Sequence, residues 1–104
     1  MTDKGVPLPV RTAIVQATVG LHARPAALFV RAVHDTGLPV TISKDGRPGV
    51  DARSLLEVMT EDFHFGCTVE LAVVAEAIPD RCSAQDVENA LDSLCELLES
   101  ARSR

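Results

Sequence analysis

The feature that most restricts the fold is the change of apolar period along the chain. From Arg11 to Thr18 the period is two. Ala13, Val15 and Ala17 fall on one side and Thr12, Gln16 and Thr18 on the other, with Ile14 breaking the polar side. That pattern marks a half-buried strand. From Arg24 the period becomes helical. Ala26, Phe29, Val30 and Val33 share a face, with Arg31 and His34 turned elsewhere. Pro25 suits the first turn, where its missing N–H costs nothing, and Gly37 and Pro39 end the helix. Val40 and Ile42 then alternate with Thr41 and Ser43. Lys44-Asp45-Gly46-Arg47 holds an Asp-Gly hairpin turn before a brief strand around Gly49–Asp51. Ser54 and Glu57 are spaced for a capping box on a short helix carrying Leu55, Val58 and Met59. Val69, Leu71 and Val73 mark a fourth strand. Ser83 would cap a long last helix whose buried face is Val87, Leu91, Leu94 and Leu98.

The resulting order, β-α-β-β-α-β-α, predicts an α+β fold. Its expected form is an open-faced β-sandwich, a four-stranded antiparallel sheet with three helices on one face. The other face would be solvated, as Gln16, Thr41 and Glu70 suggest. A chain of 104 residues fits one domain. We expect a frayed start over 1–10, the domain over 11–101 and a short tail over 102–104.

Composition narrows the function. Ten Lys and Arg stand against fifteen Asp and Glu, a formal charge of -5, and Trp and Tyr are absent. Neither a phosphate-neutralising patch nor a base-stacking platform is available, which argues against nucleic acid and anionic membranes as partners. No apolar run reaches the length of a membrane span, and the start lacks the basic-then-apolar pattern of a secretory signal. Cys67, Cys82 and Cys95 are an odd, widely spaced set. They predict reduced thiols and a cytoplasmic location. A thiol nucleophile has no local signature to support it.

The chemistry-bearing stretch is Gly20-Leu21-His22-Ala23-Arg24-Pro25-Ala26-Ala27. It reads as a strand end, a glycine turn, a histidine and a helix start. The first N–H groups of that helix and its dipole favour an anion there. Arg24 adds a planar cation two residues from His22, suited to phosphate oxygens. Neutral imidazole is a competent nucleophile near pH 7. His22 could therefore accept a phosphoryl group. The same residues also fit a surface histidine capping a helix, because one His near one Arg is a loose pattern. His34 reads as a solvent-facing cation near a helix end. His64 and Cys67 give two ligands at H-x-x-C spacing, too few for zinc, so neither metal nor cofactor is expected.

Gly-Leu-His-Ala-Arg-Pro-Ala resembles the active-site motif of the HPr family, the histidine-containing phosphocarriers of the bacterial phosphoenolpyruvate:sugar phosphotransferase system. The resemblance runs from Arg11 to Ser100. It includes Phe29-Val30-Arg31-Ala32, Thr36-Gly37-Leu38-Pro39-Val40-Thr41-Ile42 and Val50–Met59. It implies that His22 takes a phosphoryl group, on Nδ1, from Enzyme I and passes it to a sugar-specific Enzyme IIA. Arg24 would steady the group. The chain would then be a reversible carrier, not an enzyme with its own turnover. The resemblance also implies a regulatory phosphorylation at Ser54 by a Ser kinase, read by a transcription regulator. A plain N-cap accounts for Ser54 as well. Arg53, Leu55, Leu56 and Met59 would form the docking patch of a monomer.

One region departs from the family pattern. After Met59 the chain reads Thr60-Glu61-Asp62-Phe63-His64-Phe65-Gly66, with two acids in place of an apolar residue and a glycine. Such acids weaken the electrostatic match to acidic partner surfaces. They motivate an alternative, the same carrier chemistry in a regulatory or dihydroxyacetone kinase branch. A further alternative is a binding module that depends on phospho-Ser54. Arg24, Arg31, Arg47 and Arg53 are expected to gather near His22 as a small basic face.

Overall fold

In the computed structural model of the chain, the residues described are 10–16, 20, 21, 23–44, 46–74, 78 and 82–100. The elements run β1 (Val10–Ile14), α1 (Ala23–Thr36), β2 (Val40–Lys44), β3 (Val50–Asp51), α2 (Leu55–Thr60), β4 (Thr68–Val73) and α3 (Ala84–Ser100). The strands form one antiparallel sheet in the order β1-β4-β2-β3. β4 joins the N-terminal strand to the β2–β3 hairpin, with Val10 opposite Ala72 on one side and Val40 opposite Val73 on the other.

Alternation decides which side of the sheet the helices cover. Ala13, Val40, Ile42, Val69, Leu71 and Val73 are buried. Their neighbours Val10, Thr12, Ile14, Thr68 and Glu70 are exposed. A register slip by one residue would exchange these sets, so the apolar rows fix the pairing. Against the buried row pack Ala26, Phe29, Val30 and Val33 of α1, Val58 of α2, and Val87, Leu91, Leu94 and Leu98 of α3. All four predicted core positions of the last helix are at most 2% exposed. Phe63, on the connection after α2, is also fully buried.

Three local expectations change. The first strand was expected to run to Thr18. In the structure it spans Val10–Ile14; Val15 still bonds to the Cys67 carbonyl at 3.0 Å, and the Gln16 N–H donates to the Leu98 carbonyl of α3 at 3.1 Å. Ile14 does not disturb the polar side; it stands exposed on the open face. The capping box at Ser54 forms only by half. Its Oγ accepts the Glu57 N–H at 3.2 Å, but the Glu57 carboxylate accepts the Asp51 N–H at 3.1 Å, and the Ser54 N–H goes to the Asp51 carbonyl. A full reciprocal box forms instead at the last helix. There Ser83 Oγ accepts the Asp86 N–H at 3.1 Å and the Asp86 carboxylate accepts the Ser83 N–H at 3.0 Å. His22, Ala17, Thr18, Asp45, residues 1–9 of the expected frayed start and the expected tail over 102–104 lie outside the described residues.

Candidate functional site

The turn that leads to His22 is anchored from below. Gly20 has φ +73, a left-handed value that suits glycine, and a β-carbon there would stand 2.6 Å from the Phe63 carbonyl oxygen. Leu21 is buried, and its N–H donates to that carbonyl at 2.7 Å. Phe63 is held in turn. The Lys44 ammonium lies 5.8 Å from its ring centroid and donates to the Asp62 carbonyl at 2.7 Å. Thus β2, the connection after α2 and the glycine turn form one support. His22 itself lies outside the described residues, between the buried Leu21 and the first residue of α1.

The start of α1 is electrostatically open to an anion. Its first turn contains no acid. Arg24 is exposed, and among the described residues no carboxylate pairs with it. Backbone N–H groups and a free guanidinium at one helix end are the physical elements of a phosphoryl-binding site. Arg24, Leu28 and Arg31 follow each other at helical spacing on the exposed side of α1, and Leu28 is 50% exposed. Leu28 is not among the docking residues that the resemblance implies. Its position off the Ala26–Phe29–Val33 stripe was the available clue.

The predicted basic face is smaller than expected. Arg47 is paired with Glu61 at 3.3 Å, and Arg53 with Asp51 at 3.1 Å. The Glu61 acid, which departs from the family pattern, therefore has its own local cation. Asp62, which stands where the resemblance implies a glycine, occupies a left-handed conformation, φ 59. Asp is among the few non-glycine residues that tolerate it.

The α2 region is tied to α1. His34 is exposed, as expected, but not unpartnered: its Nε2–H donates to the Arg53 carbonyl at 3.0 Å. Asp51 lies beside this joint. Burial pushes its carboxyl up, but the hydrogen bonds from the Arg53 side chain and N–H, with the charges of Arg53 and His34, outweigh that and hold it below the usual carboxylate value. Ser54 thus sits at the end of a fixed loop as the N-cap of α2, with φ -104 and ψ 109. Of the predicted docking residues, Leu55 and Leu56 are exposed, whereas Met59 is half-buried against the core.

The thiols give no competing centre. Cys67 is buried, and burial together with Glu99 and Asp92 pushes the Cys95 thiol up, away from the thiolate. Among the described residues no three His, Cys, Asp or Glu groups could hold a metal ion, and no helix is long and apolar enough to cross a membrane.

Comparison with known proteins supplies the family. Residues 10–100 match the PTS-HPr family, described as the PTS HPr component phosphorylation site. The chain is 53% identical over 58 residues to the phosphocarrier protein HPr of Streptomyces coelicolor, a match that spans 55% of this chain and 61% of that relative. It is 34% identical over 90 residues to the phosphocarrier protein HPr of Borreliella burgdorferi, covering 86% of this chain and 93% of the relative. A solved structure of HPr-C-His from Thermoanaerobacter tengcongensis superimposes with a TM-score of 0.73 at 29% identity, covering 91% of this chain and 96% of that one. With the sheet order, the glycine turn and the exposed arginine at the start of α1 in place, the chain belongs to the HPr family of phosphotransferase-system phosphocarriers.

Proposed function

We propose that this chain carries a phosphoryl group on His22, received from phosphorylated Enzyme I and delivered to an Enzyme IIA in the sugar phosphotransferase system. In the first transfer the lone pair of the His22 ring nitrogen, Nδ1 by family resemblance, attacks phosphorus. The bond from phosphorus to the donor histidine breaks, and its electron pair returns to the donor ring. The second transfer reverses these roles with the acceptor. Such a step needs position and charge more than proton chemistry. The observation that carries the reading is the open anion site at the start of α1, an acid-free first turn with an exposed Arg24 that no carboxylate pairs with among the described residues.

Docking would use Leu28 on α1 and Leu55 and Leu56 on α2 as apolar contacts, with the exposed Arg24 and Arg31 as cations. The pairing of Glu61 with Arg47 leaves less uncompensated acid near this surface than the sequence implies. That favours the Enzyme I partnership over a separate regulatory or dihydroxyacetone kinase branch. Phosphorylation of Ser54 by a Ser kinase would place a dianion beside Leu55 and Leu56 and oppose docking. We assign the carrier to the cytoplasm and to a monomeric state.

The test is incubation with Enzyme I and labelled phosphoenolpyruvate. Wild type is expected to gain an acid-labile, base-stable label that moves to Enzyme IIA and that His22→Ala never acquires. Absence of label on wild type with its cognate Enzyme I rejects the carrier reading.

A further inference from the structure

Among the described residues, the free edge of β1 is finished by side chains rather than by another strand. Val15 turns its main-chain groups toward β4: its N–H donates to the Cys67 carbonyl at 3.0 Å and its carbonyl accepts the Gly66 N–H at 2.7 Å. Antiparallel alternation sends the groups of Arg11 and Ala13 the same way, and those of Val10, Thr12 and Ile14 to the open edge. An open edge is a template for a further strand. Here α3 runs along it. The Ile14 N–H donates to the Glu99 carboxylate at 3.2 Å, and the Cys95 thiol reaches the Thr12 carbonyl at 4.0 Å. The Arg11 guanidinium, held by Asp92 at 2.8 Å, donates to the Val10 carbonyl at 3.1 Å.

Without these caps the strand is complementary to itself. An antiparallel second copy centred on Thr12 places Val10 opposite Ile14 of that copy, and Thr12 opposite its twin. The three residues share the open face of the sheet, where Val10 is 37% and Ile14 41% exposed. The pairing therefore sets an apolar pair on each side of a Thr–Thr pair, with no like charges opposed. The occupant that fits this edge best is β1 of a second copy of the chain.

We propose that Glu99 and Cys95 are gatekeepers that block pairing of β1 with the β1 strand of a second copy. The proposal concerns the strand edge alone and assigns neither residue a part in phosphoryl transfer. Glu99 is exposed, and Cys95 is half-buried against the edge of the core, where Cys95→Ala removes only the sulfur and leaves the Leu91–Leu94–Leu98 stripe in place.

The test is sedimentation equilibrium over a concentration series, with amide exchange at Ile14 as a local probe. Wild type is expected to keep a one-chain mass. The double variant Cys95→Ala/Glu99→Ala is expected to shift to a two-chain mass as concentration rises, with the Ile14 amide protected only in that dimer. Adding Val10→Lys, which puts a charge into the apolar pair, should return the mass to one chain. A double variant that stays at one-chain mass overturns the proposal. So does a dimer that survives Val10→Lys, or a wild type that already dimerises through β1. Phosphorylation of the variants by Enzyme I is read separately and decides nothing about the edge.

Discussion

Gly20 and Phe63 meet backbone to backbone, and a β-carbon on Gly20 would stand 2.6 Å from the Phe63 carbonyl oxygen and 2.9 Å from the His64 α-carbon. Main-chain atoms cannot swing aside as a side chain does. Gly20→Ala should therefore combine left-handed strain of about 1–2 kcal/mol with a clash. Gly46 shares the left-handed φ, +74, but a β-carbon there meets nothing within 4 Å. Urea unfolding should show Gly20→Ala clearly less stable than Gly46→Ala. Equal losses would mean that the close approach to Phe63 contributes nothing.

Asp62 takes a left-handed φ of 59 on the same connection. Glycine meets no steric penalty there, and alanine meets the full one. Asp62→Gly should be more stable than Asp62→Ala by about 1 kcal/mol in thermal or urea unfolding. A reversed order would show that the backbone at this position is not what the substitution reads.

Ser54 has two separable properties. Its Oγ caps α2 by accepting the Glu57 N–H, so Ser54→Ala should lower stability by about 1 kcal/mol. Ser54→Asp keeps an acceptor at the cap and adds negative charge at a helix N-terminus, so stability should hold. Phosphorylation kinetics with Enzyme I should nevertheless show a raised KM for Ser54→Asp and not for Ser54→Ala. Identical kinetics for both would reject charge at this position as an off-switch.

Arg24 stands exposed and without a carboxylate partner among the described residues at the start of α1. Arg24→Ala should slow phosphoryl transfer roughly tenfold or more, with an unchanged circular dichroism spectrum. Arg24→Lys keeps the charge but loses the planar fork, and should fall between the two. A transfer rate equal to wild type for Arg24→Ala would remove this residue from the mechanism.

Asp51 links stability to pH. Its folded value lies below that of the unfolded chain, despite the upward push of burial, because the Arg53 side chain and N–H both donate to it. The unfolded chain therefore binds the proton more readily. The stabilising contribution is complete above the unfolded value of about 3.9 and is lost as pH falls through the lower folded value. Denaturant midpoints measured across roughly pH 5 to 2 should fall more steeply for wild type than for Asp51→Asn. Parallel curves would show that the Arg53 pair does not set acid stability.

The sequence by itself determined the elements and their buried faces. The stripes Ala26–Phe29–Val33 and Val87–Leu91–Leu94–Leu98 and the row Val69–Leu71–Val73 all pack in the core, because helical and strand periods are written into neighbouring residues. The family motif from Gly20 to Ala26 was equally legible, since its members are adjacent. Tertiary structure alone decided the partners. Packing chose Asp51 over Ser54 for the Glu57 carboxylate, the Arg53 carbonyl for His34 across 19 positions, and Ile14 for Glu99 across 85. It also paired Glu61, one of the two acids that depart from the family pattern, with Arg47. Local periodicity says which side of an element is buried. Which side chains meet across the molecule depends on how the elements cross, and no spacing along the chain encodes that directly.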